Sequence, residues 1–113
     1  MQWHFEERDG TGVLHLSGFL GDHVTHRFEG AVGWACSRCA GAIVVDMSAL
    51  VGWSREGEAA IMDAAGLLAA HRAPLAVCGL GDRHAPLLLA GDALALVRVY
   101  PDLDSALAAV AAR

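Results

Sequence analysis

Apolar and polar residues alternate along Trp3–Glu6, the period of a half-exposed strand. A turn at Asp9–Gly12 leads into a second alternating stretch, Val13–Ser17, so the two strands are predicted to pair as a hairpin. Gly18–Asp22 reads as a loop. From Thr25 to Cys39 the period changes. Phe28, Val32 and Ala35 recur at helical spacing, and Ala40-Gly41 closes the helix. Ala42–Met47 begins with a continuous β-branched run, as in a strand covered on both faces, and Ser48–Trp53 is expected to be a connecting loop. The next helix runs from Arg55 to Arg72 and buries Ile61, Ala64, Ala65 and Leu68. Glu56 and Asp63 point away from that stripe. Glu58 flanks it in the first turn, where it is expected to stay hydrated. Pro74 stops the helix before a short strand, Leu75–Cys78, and a turn at Gly79–Asp82. A short helix is predicted at Pro86–Ala90 and a last strand at Leu96–Tyr100. Asp102 is the expected N-cap of a terminal helix with Leu103, Ala106, Leu107 and Val110 on its apolar face.

The order ββαβαβαβα describes an α/β domain. It predicts a mixed, mostly parallel sheet of about five strands with an N-terminal hairpin and about four helices. A length of 113 residues suits a single domain spanning 1–113. The net charge of −5 argues against a nucleic-acid partner, which selects for a basic face. No run approaches the roughly 20 apolar residues of a membrane span; the longest candidate, Ala85–Val97, is broken by Gly91 and Asp92. The first residues, with His4, Glu6 and Glu7, do not resemble a secretion signal, and the 3 cysteines suit reduced thiols. A cytoplasmic protein with no membrane association is the expectation.

Candidate chemistry is thin. Cys36 and Cys39 form a CxxC, but it lies at the C-terminal end of its helix, where the dipole does not favour a thiolate, and no second CxxC exists to complete a zinc site. Cys78, in a strand, is expected to be buried and inert. Gly79–Asp82 lacks the third glycine of a dinucleotide loop and reads as a turn. His4, His15, His71 and His84 are scattered over different elements and assemble no catalytic constellation. The expectation is a protein with no cofactor, no metal and no enzymatic activity.

Three stretches carry a resemblance. They are Val13–Ser17 followed by Gly18–Leu20; Ile43–Leu50 continuing through Gly57 into the long helix; and Val97–Ala106. In that order and spacing the chain resembles the STAS domain, the fold of bacterial anti-sigma factor antagonists. The resemblance implies a regulatory protein that docks on an anti-sigma factor, itself a serine kinase, and so frees a sigma factor. Such a protein is monomeric or at most a weak homodimer. In the family the kinase phosphorylates the second serine of Asp-Ser-Ser-Gly at the start of the helix after the third strand. Counting from Asp46 places Ser54-Arg55-Glu56-Gly57 on that motif, so Glu56 occupies the phosphoacceptor position. A carboxylate cannot take the phosphate. It carries less charge than the −1.5 to −2 of a phosphoserine, roughly.

The expected partner-binding residues are Trp53, Ser54, Arg55, Glu56, Gly57 and Glu58. Ser54 reads first as an N-cap, and second as a phosphoacceptor displaced by two positions. Trp53 reads either as a docking anchor or as a cover for the sheet edge. Asp46, at the end of the central strand, reads as a loop anchor. A ligand-binding or scaffold module that keeps the fold without kinase regulation is the alternative reading.

Overall fold

The computed structural model describes residues 1–70, 72, 74–86, 88–89 and 96–111. Strand β1 (Gln2–Arg8) turns into β2 (Thr11–Leu20). Asp9 and Gly10 both have positive φ, 52° and 84°, which is the backbone of a type I′ turn and matches the right-handed twist of the paired strands. A single 3₁₀ turn (Asp22–Val24) leads into α1 (Thr25–Arg38), followed by β3 (Ile43–Trp53), α2 (Arg55–Ala69), β4 (Leu75–Cys78), β5 (Val97–Tyr100) and α3 (Leu103–Ala111).

The strands lie in chain order, β1-β2-β3-β4-β5. The first pair is antiparallel and the rest are parallel. Because the order advances in one direction, crossovers of one hand put α1 and α2 on the same face of the sheet. Pleating divides the β3 side chains accordingly. Ile43, Val45 and Met47 join Phe28, Ile61 and Leu68 in the main core, whereas Val44 joins Ala76, Cys78 and Ala106 in a smaller core under α3. Asp102 caps α3 as expected, its carboxylate accepting the Ser105 N–H at 2.8 Å.

Several expectations are corrected. Ser48–Trp53 is the second half of β3, and Gly18–Leu20 is the end of β2. These glycine-containing stretches looked like loops, but they pair with each other: Gly18 with Leu50, Phe19 with Gly52, Leu20 with Trp53. Register shifts between His15 and Ser17 and between Gly18 and Phe19 mark bulges, and Gly18 (φ 83°) supplies the left-handed backbone beside the second. The helix count is three α-helices among the described residues rather than about four. Of the expected Pro86–Ala90 helix, positions 87 and 90 lie outside the described residues, and Pro86, Leu88 and Leu89 form a turn. The Leu89 N–H donates to the Ala85 carbonyl at 3.1 Å and the Leu88 N–H to the Glu58 carboxylate at 3.0 Å. Helix α2 ends at Ala69, short of the expected Arg72.

Candidate functional site

The end of β3 and the first turn of α2 form a tip at the C-terminal end of the parallel strands. Ser54 is extended (φ −89°, ψ 172°), and its Oγ accepts the Gly57 N–H at 3.1 Å. Its carbonyl accepts the Glu58 N–H, and its own N–H donates to the Leu20 carbonyl, each at 3.0 Å. Ser54 is therefore the N-cap, a role worth about 1 kcal/mol. The same carbonyl of Leu20 explains Gly57: a Cβ there would lie 2.2 Å from that oxygen. The tip of α2 thus rests directly on the last residue of β2.

Arg55 and Glu56 are exposed on this turn, and Gly57 is buried. Glu56 sits where the positive end of the helix dipole favours a carboxylate. Glu58 departs from the hydrated position expected for it. It is only 3% exposed and points inward, accepting the Leu88 N–H. It fastens the segment after β4 to α2 and lies beneath the tip rather than on its surface.

Trp53 is half-buried at the end of the central strand β3 and packs on the main core. The Arg83 guanidinium lies over its ring, 4.8 Å from the centroid. That guanidinium is itself held by backbone carbonyls: Nε donates to Leu80 and one Nη to Met47, each at 2.9 Å, with further bonds to Leu50 and Gly79. Two exposed apolar residues flank the tip, Phe19 (48%) on β2 and Val51 (81%) on β3. Sequence reasoning missed both because their segments read as loops. The adjacent apolar pairs Phe19-Leu20 and Leu50-Val51 within those glycine-containing stretches were the available signal.

On the opposite sheet face the pairing aligns His4, His15, Asp46, Cys78 and Tyr100 in a row across all five strands. His15 bridges two carboxylates, Nε2 to Glu6 at 2.6 Å and Nδ1 to Asp46 at 2.8 Å. Asp46 also accepts the Ser48 N–H at 3.0 Å, a bond inside β3 and not at the loop it was expected to anchor. Burial pushes the Asp46 carboxyl up, but bonds from Ser48 and then His15 outweigh it and hold the group below its ordinary value of 3.8. Glu6 is also lowered, first by the His15 bond and then, against slight desolvation, by Arg8. Burial and the neighbouring Asp46 charge push the Cys78 thiol up to about 12, so it remains protonated and unreactive. Cys39 is buried with its Sγ on the Gly10 carbonyl at 3.0 Å, and all three cysteines are free.

The two lowered carboxylates set a pH dependence. A group whose folded pKa lies below its unfolded value contributes stability that is fully present above the unfolded value and is lost as pH falls through the folded one. For Asp46 that window opens below 3.8. Denaturant midpoints measured from about pH 6 down to about pH 3 should therefore fall, and the gap between wild type and Asp46→Asn should narrow over the same interval. A gap that stays constant with pH would show that the Asp46 charge has no part in it.

Among the described residues, no three histidines, cysteines or acidic residues gather as a metal site, and no helix is long and apolar enough to cross a membrane. The family pattern of the STAS domain matches residues 2–106. No curated protein sequence matches the chain. Solved structures do. An anti-sigma factor antagonist from Mycobacterium paratuberculosis is 23% identical with a TM-score of 0.75, over 97% of this chain and 93% of that one. A serine-to-glutamate variant of RsbS from Moorella thermoacetica is 18% identical with a TM-score of 0.79, over 99% and 97%. The anti-sigma factor antagonist SpoIIAA in its unphosphorylated form is 13% identical with a TM-score of 0.65, over 91% of each chain.

Proposed function

The chain belongs to the STAS domain family, and from that premise we propose that it is a regulatory docking module of the anti-sigma factor antagonist kind whose tip is not reset by phosphorylation. The observation that carries this reading is Glu56. It is exposed in the first turn of α2, at the position the family motif gives to the phosphoacceptor. The nearest hydroxyl, Ser54, already accepts the Gly57 N–H. A phosphate on Ser54 would compete with that cap. The docking surface is formed by Arg55 and Glu56 with Trp53, Phe19 and Val51 around them. Gly57 and Glu58 support it from beneath. The partner is an anti-sigma factor of the serine-kinase type, and the module itself catalyses nothing. RsbS offers a parallel, since its serine-to-glutamate variant keeps the same fold.

Affinity capture from native lysate is expected to recover a kinase-like anti-sigma factor. Purified partner should bind the Trp53→Ala/Glu56→Arg double variant at least about tenfold more weakly, consistent with loss of an aromatic anchor. Mass spectrometry of the native protein should find Ser54 unmodified. Substantial phosphate on Ser54, or binding that is unchanged in the double variant, overturns the reading. The alternative, a ligand-binding module, is favoured by one observation, the cavity described next.

A further inference from the structure

Helices α1 and α2 do not close against each other along their full length. A cavity of about 290 Å³ opens between them. Its walls are two facing stripes, Val32, Gly33 and Cys36 on α1 and Ala64, Leu67 and Leu68 on α2. The lining is almost wholly apolar. Leu67 stands 73% exposed at the rim. The size approaches the lower limit of ordinary small-molecule pockets, roughly 300 Å³, and an apolar lining with few polar groups is their usual character.

Among the described residues, Gly33 is the one helical glycine on the cavity wall. It sits inside the 14-residue α1, where glycine costs about 1 kcal/mol relative to alanine. A Cβ at Gly33 would meet nothing within 4 Å, so no close approach requires glycine there. What its missing side chain does is leave the trough open.

The charges at the two ends differ. Arg72 lines the end beside Cys36, its guanidinium donating to the carbonyls of Cys36 (2.6 Å) and Gly41 (3.4 Å). Among the described residues no carboxylate lies within ion-pair distance of Arg72. Two carbonyl bonds use only part of the five-donor guanidinium fork, which fits a carboxylate in bidentate fashion. Glu29 lies at the far end, two helical turns or about 10 Å from Cys36 along α1, facing His26 of its own helix at 3.8 Å.

We infer that this cavity binds a medium-chain carboxylate, with its hydrocarbon tail in the trough between Gly33 and Leu67 and its head on Arg72. The site uses none of the residues of the α2 tip, so its test is separate from that of the docking reading.

Decanoate, kept below its micellar concentration, is the probe, with decanol as its uncharged counterpart. Titration of the whole chain, followed by thermal shift and by amide chemical shifts, should show saturable decanoate binding with perturbations along α1 and α2. Gly33→Leu fills the trough from an exposed helical position; it should fold with unchanged or higher Tm and lose decanoate binding at least tenfold. Arg72→Gln should weaken decanoate about tenfold and decanol little, a ratio that does not depend on the variant's own stability. The inference is overturned by absence of saturable binding, by equal binding to Gly33→Leu, by decanol matching decanoate in wild type, or by perturbations confined to other elements.

Discussion

Replacing Gly57 with alanine should destabilise the protein by about 3 kcal/mol or more, the upper end for overpacking. The added Cβ would lie 2.2 Å from the Leu20 carbonyl oxygen and 2.9 Å from Leu20 Cγ. The first of these is backbone at the last pair of the β2–β3 ladder, and it also accepts the Ser54 N–H. Neither partner can yield without breaking the N-cap or shifting the end of β2. The expected control is Gly66→Ala on the same helix. A Cβ there meets nothing within 4 Å, so the substitution should stabilise by about 0.5–1 kcal/mol through helix propensity alone. Urea unfolding of the pair measures both. Similar midpoints for the two variants would mean that the tip of α2 is free to lift from the sheet.

Arg83→Ala should cost about 2–4 kcal/mol, with a second effect that urea does not report. The guanidinium collects carbonyls from β3 (Met47, Leu50) and from the segment after β4 (Gly79, Leu80). Hydrogen bonds from a charged donor are worth roughly 1.5–3 kcal/mol each, and those left without a donor but reached by water cost less. Loss of the cation over Trp53 also frees one face of that indole. In a background where Trp3 and Trp34 are phenylalanine, acrylamide quenching of Trp53 should rise clearly in Arg83→Ala and only partly in Arg83→Lys. Unchanged quenching would mean that the indole is held by the core alone.

Most of the fold was legible because periodicity reports which face of an element is buried. The Asp9-Gly10 hairpin, the β-branched run of β3, the stripe of α2 and the Asp102 cap all follow from local chemistry. The errors share one cause: they depend on partners distant in the chain. Gly18–Leu20 and Ser48–Trp53 carry turn-forming residues, and only their mutual pairing makes them strands. Glu58 reads as a wet first-turn carboxylate until a backbone N–H from position 88 is brought against it. The histidines looked scattered, yet the register sets His15 between Glu6 and Asp46 on neighbouring strands. At the tip, Ser54, Glu56 and Gly57 were identifiable through the resemblance to the family motif. Phe19, Val51 and Arg83 were not, since each belongs to the site through the fold rather than through the motif.

The Leu20 carbonyl, shared by the Ser54 N–H and the close approach of Gly57, has a kinetic consequence. If the α2 tip docks as proposed above, these contacts hold its backbone in place before any encounter. Ordering of this backbone adds no entropic penalty to association, and complex formation should proceed at a rate governed by diffusion and orientation rather than by a slow folding step of the tip.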